Sequence, residues 1–137
     1  MQGNRVVIDV NIFFSYFLKD KFNELFDIAI NKNIRIYRNS EMRGELERVL
    51  KYDYFQQNST RPIKDYLDFF DSITIPFETI KDFSGCADEN DNYLFDLAYQ
   101  TNADLLVSGD KKVLATAVRK SLRVIDFATF KREIKGM

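Results

Sequence analysis

The segment Asp104-Leu-Leu-Val-Ser-Gly-Asp110 decides the fold of this 137-residue chain. Its apolar centre has the length and composition of a buried strand, and the carboxyl group of Asp110 follows closely. The segment Arg5-Val-Val-Ile-Asp9 has the same plan, a short β-branched strand that ends at an acidic residue. Both segments lead into a helical pattern, which predicts parallel strands joined by helical crossovers. Ligands bind beyond the carboxyl ends of such strands, so we expect Asp9 and Asp110 at one edge of the sheet.

Strands and helices alternate along the rest of the chain. Further strands are predicted over residues 34–37, 73–75 and 122–125. Helices are predicted over residues 12–18, 23–30, 40–52, 65–70, 89–100, 111–118 and 127–134. Ser40 is the predicted N-cap of the third helix, and Pro76 is expected to stop the strand before it. The sequence therefore predicts an α/β fold, a three-layer domain with a central parallel sheet of about five strands flanked by helices.

The composition limits the kind of protein that this chain can be. Its 137 residues suffice for one compact domain over 1–137, and 45% hydrophobic residues with only five Gly predict that all of it folds. The lone Cys86 excludes an intramolecular disulfide. No apolar run is long enough to span a membrane and the N-terminus lacks a signal-peptide pattern, so we expect a cytoplasmic protein without a membrane partner. Because histidine is absent, Ser-His-Asp and Cys-His catalysis are excluded, and a catalyst must use carboxylates.

Asp91 is an acidic residue in an apolar stripe. It begins an i, i+3, i+4, i+7 apolar pattern, which places its carboxylate on the inward face of a predicted helix. An ionised group that faces inward needs a partner or a metal ion. The alternative is a capping box, in which Asp88 is the N-cap and Asp91 returns a hydrogen bond to its backbone. The two roles are compatible.

Glu45 lies on the flank of another apolar stripe, one helical step from Met42 and from Val49. The alternative for Glu45 is an ordinary solvated side chain paired with a nearby arginine. Asp9 and Asp110 have an alternative as well, since each can cap the helix that follows it. The agreement of the positions of all four carboxylates favours a common site.

The candidate site thus contains Asp9, Glu45, Asp91 and Asp110, with Asp88 close by. Convergent carboxylates repel one another, and each raises the pKa of the others unless cations neutralise them. With neither histidine nor paired cysteine, Mg²⁺ or Mn²⁺ is favoured over zinc. Such a site suits phosphodiester hydrolysis, in which metal ions activate water and stabilise charge on the attacking and leaving oxygens.

The net charge of −1 gives no general attraction to nucleic acid, so RNA binding would need a local basic patch. Lys111 and Lys112 directly follow Asp110, while Arg43, Arg48 and Lys51 share the helix of Glu45. A further cluster contains Arg119, Lys120 and Arg123. These cations are candidate phosphate contacts, with Arg43, Lys111 and Lys112 foremost. The alternative is that they are simply solvated, as most surface Lys and Arg residues are.

Four acidic segments occur in an order that resembles the PIN-domain family, in particular the toxin-like branch of bacterial toxin–antitoxin pairs. The segments are Val7-Ile-Asp-Val-Asn11, residues 40–50 around Glu45, Asp88-Glu-Asn-Asp91 and Leu106-Val-Ser-Gly-Asp110. The resemblance covers nearly the whole chain. It implies a Mg²⁺- or Mn²⁺-dependent ribonuclease with the sheet order 3-2-1-4-5. It also implies supporting roles for Asn11, Ser40 and Ser108.

The chain departs from the family pattern at two positions, where Val10 and Ser108 stand in place of threonine. Ser108 keeps a hydroxyl group, whereas Val10 cannot donate a hydrogen bond. Val10 is harmless if it faces the core, and otherwise the support of Asp9 is weakened.

The first helix carries Phe13, Phe14, Tyr16 and Phe17 on more than one face. We therefore expect some of these aromatic side chains to be exposed unless a partner covers them. The family resemblance suggests that this partner is a second copy of the chain or an antitoxin. The alternative is packing of the same side chains against the sheet.

Two other functions remain open from the sequence. A catalytically silent PIN domain would bind an antitoxin or RNA without cutting it, and the departure at Val10 keeps this alternative open. A phosphatase of the haloacid dehalogenase type also begins with a strand-end Asp and uses Mg²⁺, with Asp9 as nucleophile. However, Asn11 stands where such an enzyme needs a second Asp, and Leu114 where it needs a further metal ligand.

Overall fold

A computed structural model describes residues 4–135 of the chain. Residues 1–3, which entered the prediction that a signal peptide is absent, and residues 136–137 lie outside this range. Five parallel strands form one sheet in the order β3-β2-β1-β4-β5, which confirms the predicted strand order and parallel sheet. The strands are β1 (Arg5–Ile8), β2 (Arg35–Arg38), β3 (Ile75–Pro76), β4 (Leu105–Val107) and β5 (Arg123–Ile125).

Helices flank this sheet and complete the predicted three-layer α/β fold. They are α1 (Val10–Leu18), α2 (Phe22–Phe26), α3 (Ser40–Leu50), α4 (Asp53–Asn58), α5 (Ile63–Ile73), α6 (Asn92–Gln100), α7 (Lys111–Leu114) and α8 (Phe127–Ile134). One π-helical turn, Asp27–Asn31, extends α2, and one 3₁₀ turn, Glu89–Asp91, precedes α6. No helix within residues 4–135 is long and apolar enough to cross a membrane.

The two central strands form the middle of the hydrophobic core. Residues 6–8 of β1 and 105–107 of β4 are all buried, because helices cover both faces of the sheet. Residues at the same level pair directly, for example Ile8 with Val107. The strands therefore end together, and this register fixes the positions of the residues that follow them.

Several local predictions are wrong. The N-cap of α3 is Asn39, whose side chain accepts a hydrogen bond from the Met42 N–H, and Ser40 is instead the first residue of the helix. Ile73 ends α5 and is not in a strand, whereas Pro76 lies inside β3. A proline is tolerated there because β3 is an edge strand. Helix α4 was not predicted, and α7 ends at Leu114, well before residue 118.

The aromatic side chains of α1 do not need a partner to cover them. Phe13, Tyr16 and Phe17 are buried, and Phe14 is half-buried. The ring of Phe13 packs edge-on against that of Phe70 in α5, with 4.9 Å between centroids. The aromatic side chains of α1 therefore give little physical reason for a dimer, since three of the four are buried within the chain, and the homodimer stays a prediction.

Candidate active site

Asp9 and Asp110 follow the ends of β1 and β4, which are neighbours in the sheet. The buried hydroxyl of Ser108 links them: it donates to Oδ2 of Asp9 at 2.7 Å and accepts the backbone N–H of Asp110 at 3.0 Å. The backbone N–H of Asp9 also donates to the carbonyl of Val107 at 2.8 Å. The structure therefore brings the two acidic residues together, and it gives the Ser108 hydroxyl a direct contact with each.

The helix-capping alternative holds for only one of these two residues. Asp110 accepts the backbone N–H of Lys112 at 2.8 Å and so caps α7. Asp9 stands at the N-cap position of α1 but makes no side-chain capping bond. Val10, the first residue of α1, is only 4% exposed. An apolar side chain suits this buried position, so valine in place of threonine is harmless here.

The 3₁₀ turn before α6 brings two more carboxylates to the same edge. Asp88 is the N-cap of this turn, as predicted, and its side chain accepts the backbone N–H of Asn90 at 3.0 Å. The full capping box does not form, because this bond is not to the N–H of Asp91, and Asp91 does not cap α6 with its side chain either. Asp91 therefore keeps a half-buried carboxyl group that faces other acidic residues.

Glu45 is contributed by α3, which packs against both α1 and α6. Its carboxylate forms an ion pair with Arg48, one turn further along the helix. The alternative of an arginine-paired glutamate is therefore present in the structure. Arg48 also donates to the hydroxyl of Tyr52 at 3.3 Å, so it connects the acidic residue with an aromatic one.

All five predicted carboxylates line one cavity of about 380 Å³, which we call the acidic cavity. Its lining contains residues from β1, α1, α3, the 3₁₀ turn, α6 and the end of β4. The full lining is Asp9, Val10, Asn11, Phe14, Glu45, Arg48, Val49, Tyr52, Asp88, Asn90, Asp91, Tyr93 and Asp110. Asn11, predicted as a supporting residue, thus lies at the cavity.

Two carboxyl groups of this cavity, those of Asp9 and Asp91, have raised pKa values. Burial, and then repulsion by Asp9 and by the remaining carboxylates of the cavity, raises the pKa of Asp91 to about 6. Burial also raises the pKa of Asp9, although the hydrogen bond from Ser108 opposes this rise. The pKa of the Tyr93 hydroxyl is raised as well, first by burial and then by Asp9 and Glu45. A cation in the cavity would relieve all of these effects.

The donor atoms of the cavity fit a hard divalent cation, because they are carboxylate oxygens without imidazole or thiolate. Within residues 4–135, no group of three or more Asp, Glu or Cys side chains is arranged to hold a metal ion as it stands. Glu45 is turned towards Arg48, and Asp88 and Asp110 each hold a backbone N–H. Metal binding by Glu45 would therefore require it to leave Arg48, whereas Asp88 and Asp110 each bond a backbone N–H through Oδ1 and keep Oδ2 for an ion.

Most of the remaining predicted residues lie outside the cavity. The exposed Ser40 hydroxyl donates to Glu78, and the guanidinium of Arg43 makes a bidentate ion pair with Asp71 of α5. Lys111 and Lys112 are exposed on the first turn of α7, next to Asp110. Of the predicted cations, Arg48 lines the cavity itself, and these two lysines stand beside Asp110.

Three polar side chains on α6, which we call the polar ladder, hold the irregular segment over residues 80–86, which leads to Asp88. Its three side chains, Asn92, Asp96 and Gln100, are spaced four residues apart and share one face of the helix. They bond the backbone of Cys86, of Asp82 and Phe83, and of Ile80, respectively. The segment is thereby tied to α6 at three successive points before it reaches the cavity.

Sequence reasoning missed the aromatic and apolar part of the cavity. Val49 and Tyr52 follow Glu45 at i+4 and i+7, so the helical repeat alone places them on its face. Tyr93 follows Asp91 by two residues and gives no such periodic signal. Phe14 is missed because one aromatic side chain among four on α1 cannot be singled out from the sequence.

The chain matches the PIN domain family over residues 5–112 and therefore belongs to this family. An uncharacterized protein of Methanocaldococcus jannaschii is 26% identical over 119 residues, which cover 81% of this chain and 74% of that protein. Family membership leaves the phosphatase alternative without support.

A solved structure resembles the chain at the level of the fold. It is the crystal structure of VapBC2 from Rickettsia felis bound to a DNA fragment from their promoter. The match has a TM-score of 0.58 and 20% identity, and covers 90% of this chain and 98% of that chain. At this identity the likeness establishes the fold and no more.

Proposed function

We propose that this chain is a Mg²⁺- or Mn²⁺-dependent endoribonuclease that hydrolyses RNA phosphodiester bonds at the acidic cavity. The observation that carries this proposal is the convergence of five carboxylates, from four separate segments of a PIN domain, on one cavity. A purely structural set of carboxylates would have cationic partners. Here only Glu45 has one within hydrogen-bond reach, from Arg48.

A bound divalent cation supplies an activated water molecule and stabilises charge on the attacking and leaving oxygens. Asp9, Asp91 and Asp110 would hold it, with Glu45 and Asp88 as further ligands. The strands and helices hold these carboxylates close together in the absence of the ion. The carboxylates repel one another in that state, and a bound cation would relieve the repulsion.

Two kinds of neighbouring residue would support the reaction. Ser108 orients the Asp9 carboxylate through its hydrogen bond to Oδ2, and Asn11 lies at the cavity beside it. Lys111 and Lys112 extend from the first turn of α7, where their ammonium groups would hold RNA phosphates. Since histidine acid–base pairs are absent, we expect the products to carry a 5′-phosphate and a 3′-hydroxyl.

The test compares the wild type with Asp9→Asn on labelled single-stranded RNA, with Mn²⁺ and with EDTA. The wild type should cut only with the metal, and Asp9→Asn should lose activity by orders of magnitude because ligand charge is removed while shape is kept. Asp82→Asn, which changes an exposed carboxylate outside the cavity, is the matched control and should cut normally. Cleavage that survives EDTA or the Asp9 substitution contradicts the proposal. A wild type that cuts no RNA supports the silent scaffold instead.

We further propose that the chain is the toxin of a toxin–antitoxin pair and acts in the cytoplasm. This proposal is supported by membership of the PIN domain family and by a fold similar to that of a chain in the VapBC2 structure. A homodimer rests on the family resemblance alone, because α1 buries its aromatic residues within the chain. Light scattering of the purified protein tests the dimer. Growth arrest on expression, relieved by the product of an adjoining small reading frame, tests the toxin; unimpaired growth contradicts it.

A further inference from the structure

The lining of the acidic cavity also contains side chains without a carboxylate. Phe14 of α1, Val49 of α3 and Tyr52, which directly precedes α4, are among them, and we call these three residues the aromatic wall. Arg48, which also lines the cavity, contacts both Glu45 and the Tyr52 hydroxyl. One cavity thus combines anionic, cationic and aromatic side chains.

This aromatic wall is held in place from behind. The ring of Phe14 packs at 5.3 Å between centroids against the ring of Phe55, which is fully buried in α4. The backbone N–H of Tyr52 donates to the carbonyl of Val49 at 3.2 Å. The positions of the wall residues are therefore set by the packing of α1, α3 and α4, before any ligand arrives.

The ring of Tyr52, unlike most aromatic rings of this protein, does not pack against another ring in the described part of the chain. Its side chain is 48% exposed, and no other aromatic ring within residues 4–135 pairs with it. Its hydroxyl is already engaged by Arg48. The ring face remains available, and a large exposed aromatic face beside a charged site is characteristic of a recognition surface.

We propose that Phe14, Val49 and Tyr52 form a subsite for one unpaired base of single-stranded RNA, next to the phosphate that a metal ion bound by the carboxylates would hold. This inference rests on the nuclease function proposed above and names the part of the substrate that the cavity recognises. Every base has a π-face that stacks on an aromatic ring, and bases are free to do so only where the strand is unpaired. The subsite therefore selects single-stranded over double-stranded RNA without selecting a sequence.

Arg48 gives the subsite a link to the backbone of the RNA. In the protein without metal its charge is taken up by Glu45. If Glu45 were to bind a divalent cation, Arg48 would lose this ion-pair partner, and the planar donors of its guanidinium suit a phosphate oxygen. The base on Tyr52 and the phosphate at Arg48 are then neighbouring parts of one nucleotide.

The experiment uses a single-stranded RNA that carries one 2-aminopurine, whose fluorescence is quenched on stacking. Asp9→Asn protein with Mn²⁺ keeps the RNA intact and should quench the probe. The double variant with Asp9→Asn and Tyr52→Ala should not quench the probe and should bind the RNA about tenfold more weakly, as expected when one base–aromatic stack is removed. Tyr52→Phe should retain both. Tyr54→Ala is the matched control, because Tyr54 is 62% exposed and lies two residues after Tyr52, in α4, but outside the cavity.

The outcomes separate this inference from the nuclease itself. Equal quenching with Tyr52→Ala, an equal loss with Tyr54→Ala, or equal quenching of the same RNA in a duplex overturns the base subsite. Cleavage of the RNA by wild type is measured in parallel. If the wild type cuts normally and the Tyr52→Ala variant of it cuts equally well, the subsite fails while the nuclease stands. Stacking that depends on Tyr52 without any cleavage supports the subsite and overturns the nuclease.

Discussion

Asp91 is the residue through which the acidic cavity makes the stability of the metal-free protein depend on pH. Burial and neighbouring carboxylates raise its pKa from the ordinary 3.8 to about 6. A raised pKa means that the folded state binds the proton more tightly than the unfolded state. The associated stability is fully present below about pH 4 and is lost as the pH rises through about 6.

Asp91→Asn should remove the part of this pH dependence that Asp91 contributes, while the raised pKa of Asp9 leaves a remainder in both proteins. In EDTA, the free energy of unfolding of the wild type should fall relative to that of the variant between about pH 4 and pH 7, so that the variant is the more stable protein at neutral pH. The measurement is urea unfolding of both proteins across this range. A difference in stability that does not change with pH would contradict the assignment of the raised pKa to Asp91.

Ser108 should control metal affinity without being a ligand. Ser108→Ala removes the hydrogen bond to Oδ2 of Asp9, which raises the pKa of Asp9 further and frees its carboxylate to rotate. We expect Mn²⁺ binding to weaken by about 10- to 100-fold, the usual effect of losing a partner behind a metal ligand. Titration of Mn²⁺ by calorimetry measures it. Ser108→Thr keeps the hydroxyl and should bind normally; equal loss in both variants would point to packing instead.

The sequence pattern predicts where the acidic residues of the cavity lie but not where Arg43 and Ser40 point, and the reason is the range of the interactions involved. Asp9 and Asp110 are placed by the strands that they follow, so local pattern suffices to place them. The direction of Arg43 is instead set by Asp71, 28 residues away, and no local pattern reports that pairing. The same holds for Ser40, whose hydroxyl is taken by the distant Glu78.

At the level of elements, the polar ladder of α6 holds the segment before Asp88 and thereby positions Asp88 at the cavity. Its central residue, Asp96, is only 5% exposed and accepts the backbone N–H groups of Asp82 and Phe83 at 3.1 and 2.7 Å. Both hydrogen bonds end at Oδ1 of Asp96. The segment therefore needs one acceptor oxygen at this position and not the negative charge of the carboxylate. The stacked rings of Phe83 and Phe95 add an apolar contact at the same point.

Asp96→Ala should therefore destabilise the protein by about 1–3 kcal/mol, because it leaves two backbone N–H groups without an acceptor. Asp96→Asn retains the oxygen and should lose much less. Hydrogen exchange should become faster at the amides of residues 82–86 in the alanine variant, and Mn²⁺ affinity should fall with it. Unchanged exchange in this segment would show that the ladder does not hold it.

The elements that the sequence misplaced are those whose boundaries depend on tertiary contacts. Ile73 and Ile75 favour a strand by residue type, yet Ile73 is buried as the last residue of α5. Helix α4 is short and follows α3 closely, so its pattern merges with that of α3. Strands β1, β4 and β5 were placed within one residue because each is a compact apolar run between polar boundaries.

At the level of the whole molecule, the strand order is the feature that the pattern of residues could not supply. Periodicity predicted parallel strands, and the order β3-β2-β1-β4-β5 was inferred from the family resemblance. This order places β1 beside β4 and thereby joins Asp9 to Asp110. The aromatic core was equally out of reach, since the contact of Phe13 with Phe70 joins residues 57 positions apart in the sequence.

Because the carboxylates of the cavity repel one another in the folded state, metal binding should stabilise the entire fold. An ion that binds only the folded protein adds about 2.7 kcal/mol at a concentration 100 times its Kd. For a domain of this size that raises Tm by roughly 8–12 °C. Thermal unfolding of the wild type with Mn²⁺ and with EDTA measures the rise.

Asp91→Asn supplies the control, and its two effects should have opposite signs. In EDTA its Tm should exceed that of the wild type at neutral pH, because one repelling charge is gone. With Mn²⁺ its Tm should lie below that of the wild type, because one ligand is gone. Asp82→Asn, which lies outside the cavity, should follow the wild type in both conditions. If Mn²⁺ raises the Tm of wild type and Asp91→Asn equally, the ion binds elsewhere, and the acidic cavity is not the metal site.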